Sequence, residues 1–158
     1  MSVLSGALLD PDDFTRTIRA AGVWTTYTPE WSSSGTQPAL VNGTLTGRYL
    51  VLHHQLVRAQ IRLTMGSSTT YGTNVYFFTL PFPASADSIL YNAGGSSWGL
   101  DAAVKETGGV TKLESNGLAF RCSAAPVASG VADNWGQTVP FTWGSGDVLT
   151  AWVDFEPA

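Results

Sequence analysis

At 158 residues the chain has the length of one domain, and a domain of that size buries about 70% of its unfolded surface, enough for a core without disulfide or metal. A net charge of −4 with eight scattered Lys and Arg argues against a nucleic-acid surface, where counter-ion release needs clustered cations. Charged residues make up 13% against the usual ~25%, which suits an all-β domain and leaves neutral surface for partner subunits.

The first 22 residues differ from the rest. Asp10-Pro11-Asp12-Asp13 is a helix start, with an N-cap Asp, Pro in the first turn and acids at the positive helix end. Phe14, Ile18 and Ala21 then fall on one face of a short helix that stops at Gly22. So short a helix is marginal alone, so residues 1–22 are expected to be an attachment leader, with Leu8, Leu9, Phe14 and Ile18 as its apolar contacts. The start has neither a basic segment nor a continuous apolar run, so no signal peptide is expected and synthesis is placed in a cytoplasm. No apolar run reaches the ~18 residues that span a bilayer, so no membrane insertion is expected.

Residues 23–158 read as β. Strands are expected over 45–52 and 55–64, around His53 and His54; in the second, Val57, Ala59, Ile61 and Leu63 face one side and Arg58, Gln60 and Arg62 the other. A polar turn follows over 65–72, then an aromatic strand over 74–80 stopped by Pro81 and Pro83. Further strands are expected over 98–106, 110–114, 118–123 and 148–155, with two-residue hairpin turns at Gly108-Gly109 and Asn116-Gly117. Looser stretches lie at 84–97, 124–138 and 143–147. Cys122 is the single cysteine, so no intrachain disulfide forms, and its strand-like flanks predict a buried, inert thiol. Strands of this number and spacing predict an antiparallel, jelly-roll-like β-sandwich.

Residues placed for catalysis are missing. The two histidines are adjacent and point to opposite faces of a strand, so both cannot serve one nucleophile. They read as hairpin-tip residues; a ring of them around a symmetry axis is the other reading. Asp101 and Glu106 lie five apart and also face opposite ways, so they do not form the paired carboxylates of a glycosidase, and with Glu114 they read as surface charges. Gly94-Gly95-Ser96-Ser97 opens no helix and holds no Lys, so it is no phosphate loop. No cofactor or metal is expected, and no enzyme. What remains is aromatic recognition: Tyr91, Trp98, Trp135 and Trp143 lie in or beside loops with Asp101, Asp133 and Asn134. Flat rings stack on sugar faces while amides and carboxylates bond the hydroxyls. The bland reading of each Trp is core or an intersubunit seam.

The segments Trp24-Thr25-Thr26-Tyr27-Thr28-Pro29-Glu30-Trp31, Asn42-Gly43-Thr44-Leu45-Thr46-Gly47-Arg48-Tyr49, Leu80-Pro81 and Phe141-Thr142-Trp143-Gly144-Ser145-Gly146-Asp147-Val148-Leu149 together resemble a phage tail-protein module. That family has a W-x-x-Y-x-P-x-W segment, G-N-G-x-L-x-G-R-Y, an aromatic strand ending in L-P, and a closing F-T-W-x-x-G-D-x-L. Such modules are similar to minor tail or tail-fibre proteins of phages infecting Gram-positive, especially actinobacterial, hosts. The resemblance covers roughly residues 22–155. The chain departs from the pattern at Val41, where relatives have Gly, and at His53-His54, where relatives have a Gly-containing hairpin.

The resemblance implies a knob-like trimer in the virion. It leads to a non-enzymatic tail or tail-fibre protein, joined to other virion proteins through the leader and engaging host cell-wall polysaccharide. A capsid decoration or head-fibre protein is the structural alternative, and a wall-degrading enzyme the third.

Overall fold

A computed structural model of the chain describes residues 22–53, 56–91, 94–102, 104–124 and 133–158. The expected leader helix, with Leu8, Leu9, Phe14 and Ile18, lies outside the described residues, as does His54. The strands are β1 (Thr25–Tyr27), β2 (Trp31–Ser33), β3 (Thr44–His53), β4 (Leu56–Thr64), β5 (Tyr76–Thr79), β6 (Gly94–Asp101), β7 (Lys105–Leu113), β8 (Ala119–Ala124) and β9 (Val148–Phe155). A short helix, α1, spans Ala86–Leu90.

All nine strands belong to one antiparallel sheet in the order β1-β3-β4-β9-β6-β7-β8-β5-β2. The two edge strands, β1 and β2, are neighbours in the chain, separated only by residues 28–30. Laid flat, nine strands would hold their edges about 38 Å apart. The link from Tyr27 to Trp31 reaches at most ~14 Å. The sheet must therefore curl until its edges meet. The seam is closed by Tyr27, whose hydroxyl donates to the Thr79 carbonyl (3.2 Å), and by Glu30, whose N–H donates to Thr79 Oγ1 (2.8 Å).

Period-2 patterning sets the faces. On β4, Val57, Ala59, Ile61 and Leu63 point inward; on β9, Leu149, Ala151, Val153 and Phe155 do. The opposite wall supplies Tyr76 and Phe78 from β5 and Phe120 and Cys122 from β8. Each large side chain so buried contributes about 1.5–3 kcal/mol. Burial also pushes the Cys122 thiol up to about 12, so it stays protonated and unreactive at neutral pH, as its flanks predicted.

The structure corrects three expectations. Gly108-Gly109 is not a turn but the middle of β7, opposite Trp98 and Ser97, and the hairpin closes instead between Asp101 and Lys105. A Cβ at Gly109 would lie 2.5 Å from the Ser123 carbonyl and 2.8 Å from the Trp135 ring, so close packing, not chain reversal, explains the glycine. The second turn falls where expected, at Asn116-Gly117, but only Gly117 has positive φ (+67°). The Glu114 N–H donates to the Ala119 carbonyl (2.9 Å) and encloses four residues, 115–118, so this is a longer loop with a left-handed Gly rather than the primed pair. The stretch 84–97, read as loop, holds α1 and the first half of β6; Ser85 Oγ accepts the Ser88 N–H (3.1 Å) and caps the helix.

At Val41 the departure from the resembled pattern acquires a conformation. Its φ is +53° and its side chain is 72% exposed, so strain there is not offset by burial. A left-handed conformation costs about 1–2 kcal/mol for a residue with Cβ. The extra chain entropy of Gly costs about 0.5–1 kcal/mol. Val41→Gly is therefore expected to gain about 0.5–1 kcal/mol and raise the Tm by a few degrees in a thermal melt.

Candidate functional site

The outward face of β3, β4, β9 and β6 carries a groove of about 580 Å³. Its side chains follow from the register. Thr46 pairs with Arg62, Arg62 with Thr150, and Thr150 with Trp98, giving one row across four strands. Beside it runs a second row, Thr26 to Arg48 to Gln60 to Trp152. A third holds Leu50, Arg58 and Asp154. All are outward because their strand neighbours fill the core.

Opposite Trp98 stands Gly108, and a Cβ placed there would meet nothing within 4 Å, so that flank of Trp98 is open. Trp152 is backed by the Arg58 guanidinium, 4.3 Å from its ring centre. Arg58 is itself fixed by a bidentate bond to Asp154, Nε and Nη2 each 2.7 Å from a carboxylate oxygen. That bond raises the Arg58 pKa, so the guanidinium stays charged. Arg48 stacks over Trp24 at 4.2 Å and donates from Nε to Gln60 Oε1 at 2.9 Å. Arg62 is exposed and has no ion-pair partner among the described residues.

The groove lining contains Arg48 and Arg62 and no acid, on a chain of net charge −4. Two tryptophans, two arginines, and the hydroxyls and amide of Thr46, Thr150, Ser96 and Gln60 make a surface able to stack and hydrogen-bond a polar ring. Among the described residues no group of three His, Cys, Asp or Glu is arranged for a metal, and no helix is long and apolar enough to cross a membrane.

Of the sequence-predicted site residues, Trp98 alone lies in this groove. Trp135 is fully buried and Trp143 is 3% exposed, with ring centres 6.3 Å apart, so in a single chain neither presents a ring to solvent. Their bland reading as core holds. Tyr91, 80% exposed after α1, lines a smaller pocket of about 390 Å³ with Asp87, Asp154 and Glu156. Asp133 is exposed beyond β8, while Asn134 accepts the Ser123 hydroxyl through Oδ1 (2.9 Å). Asp101 ends β6 opposite Lys105, and Glu106 sits opposite Leu100, so the two carboxylates leave the hairpin on opposite faces. Glu114 is bound to Arg121 at 2.5 Å. The predicted set is thus dispersed.

Sequence reading missed Trp152, Arg48 and Arg62. The signal was present: alternation over residues 148–155 sets Trp152 on the side of Thr150 and Asp154, away from Leu149, Ala151 and Val153. Trp24 and Trp152, read as core or seam, both turn outward to arginines.

No family model matches the chain, and no solved structure matches it. One curated relative is the "Mu-like prophage FluMu defective tail fiber protein" of Haemophilus influenzae, 30% identical over 137 residues. The match covers 82% of this chain but 20% of that protein, so the chain spans about a fifth of its relative's length. A β-rich phage tail-fibre module is what the likeness supports.

Proposed function

We propose that the chain is a non-enzymatic module of a phage tail fibre that takes part in recognising a glycan on the host surface. The carrying observation is the likeness to a tail-fibre protein over four-fifths of this chain. The groove adds a surface of stacking rings and polar groups on a rigid sheet, the arrangement that sugar binding requires. In this reading the curled sheet is a jelly-roll-like knob, displayed on the tail as a homo-oligomer, with three copies as the resemblance implied. Exposed Val51 and Leu52 near the end of β3 offer apolar contact between copies. Residues 1–22 are the attachment to other virion proteins. A wall polysaccharide of a Gram-positive host gains no support from the relative's source, so the proposal is kept to a surface glycan.

The test is adsorption. Fluorescently tagged chain should decorate cells of the bacterium whose phage encodes it, and should slow adsorption of the intact phage. Stripping the surface glycans should abolish both effects, and no sugar should be released on prolonged incubation. Absence of cell binding removes the recognition role; release of sugars makes the chain an enzyme.

A further inference from the structure

The electrostatics of the groove narrow the ligand beyond "a glycan". We infer that the groove binds an anionic saccharide, its ring seated on Trp98 or Trp152 and its carboxylate or phosphate held by Arg62 and Arg48. This inference rests on the surface-recognition reading above.

Charge is the first reason. The chain has twelve acids against eight Lys and Arg, yet the groove lining holds two arginines and no carboxylate. A site for neutral sugar has no use for two uncompensated cations, whereas a groove lined by one sign of charge sets a local positive potential that draws an anion. The outward acid two residues along β9 from Trp152, Asp154, is already committed to Arg58, and Glu106, on the face of Trp98, lies outside the groove lining. Arg58 thus shows what a neutralised arginine looks like on this face, and Arg62 and Arg48 differ from it.

Spacing is the second reason. In one row Arg62 stands two strands from Trp98, and in the next Arg48 stands two strands from Trp152. Each cation is therefore about 10 Å from its tryptophan, and the rows lie about 7 Å apart. The same pairing of cation, small polar group and ring occurs twice, displaced by one strand. That diagonal suits a chain whose negative charge recurs from unit to unit better than it suits one sugar.

Preorganisation is the third. Arg48 is held from behind by Trp24 and at Nε by Gln60, which leaves its terminal nitrogens to donate without a search for geometry. Guanidinium forks match carboxylate and phosphate alike, so the two sources of anion share one chemistry.

The test titrates the whole chain, followed by tryptophan fluorescence and calorimetry, with oligogalacturonate, a glycerol-phosphate oligomer and a neutral cello-oligosaccharide. At least one anionic probe should bind tenfold or more tightly than the neutral one, and added salt should weaken it. Preference for galacturonate assigns a carboxylate ligand; preference for the phosphate oligomer assigns a phosphodiester. Arg62→Gln should weaken binding at least tenfold, and so should Trp98→Ala or Trp152→Ala, whichever ring seats the sugar. Lys105→Gln, which removes a cation outside the groove, should leave it unchanged. Thermal melts of each variant confirm folding.

Equal affinity for the neutral probe, indifference to Arg62→Gln, or no binding of either anionic probe up to about 10 mM overturns the inference. So does an oligomer of wild-type chain that Arg62→Gln dissociates in sedimentation, since the groove is then a contact between copies. The two readings separate on cells. If Arg62→Gln adsorbs like wild type, the groove assignment falls and the tail-fibre role stands; if wild type itself does not adsorb, the recognition role falls first.

Discussion

Trp135→Ala is expected to cost about 3–5 kcal/mol in urea unfolding, the upper range for a core aromatic. The reasons lie in both main chain and side chain. Trp135 N–H donates to the Cys122 carbonyl (2.8 Å) and its carbonyl accepts the Tyr76 N–H (2.9 Å), so the segment wedges between β8 and β5 where those strands diverge. Single bridges at Ser123–Asn134 and Val75–Gly136 continue the wedge on either side. The ring fills the space beside Gly99 and Gly109 and abuts Trp143. A second pair of variants sharpens the point. Trp135 Nε1 is buried without an acceptor among the described residues, whereas Trp143 Nε1 donates to the Gly136 carbonyl at 2.9 Å. Trp135→Phe deletes an unsatisfied donor, and Trp143→Phe removes the shorter of two hydrogen bonds to the Gly136 carbonyl, which keeps only the Val139 N–H at 3.4 Å. The second should therefore cost about 1 kcal/mol more than the first. A Trp135→Ala chain that keeps its stability but loses ligand would return this residue to the binding set.

The next largest effect is expected at Asp147. It is 4% exposed, yet no cation holds it among the described residues. Instead Oδ2 accepts the Gly144 N–H (2.6 Å) and Oδ1 accepts the Ala102 N–H (2.9 Å). Its carbonyl also receives the Met65 N–H (2.9 Å), so one residue ties together the turn before β9, the turn after β6 and the end of β4. Asp147→Ala leaves two donors bare and should cost about 2–3 kcal/mol. Asp147→Asn should recover little of that, because its amide nitrogen must face one of the same N–H groups. Recovery of full stability in Asp147→Asn would mean that the carboxylate's second oxygen does nothing.

Trp143 and Asp147 show why the motif F-T-W-x-x-G-D could be noticed in the sequence yet not interpreted. Trp143 fills core, Gly146 takes φ +90° and Asp147 closes the turn, so within a single chain the motif builds a structural corner. The N-G-T-L segment behaves alike: Asn42 Oδ1 accepts the Ser68 N–H (2.8 Å) and Nδ2 donates to Ser67 (2.9 Å), tying two turns together. Strands β4, β5, β8 and β9 were readable because alternation is a local property. The closure of one sheet on itself was not, since it depends on β1 and β2 pairing at opposite ends of the strand order. Gly108-Gly109 misled for a related reason: the ring of Trp135, 26 residues away from Gly109, is what demands a glycine, and no local rule records it.

The site was harder still. Loop position drew attention to Trp135 and Trp143, but both side chains are buried. Alternation places Arg58, Gln60 and Arg62 correctly on one outward face but assigns that face no role. What gives that face meaning is Trp152 from β9 and Trp98 from β6, brought alongside by pairings between distant parts of the chain, 96 residues apart at Arg58–Asp154. Of that set, sequence alone identified Trp98.

The tail-fibre assignment is read most directly by immunogold electron microscopy of particles produced from the genome that encodes the chain, with antibody raised against residues 24–158. Gold confined to the tail fibres is the expected result. Gold over the head would make the chain a decoration protein, and particles free of gold and of the chain in denaturing blots would contradict its place in the virion altogether.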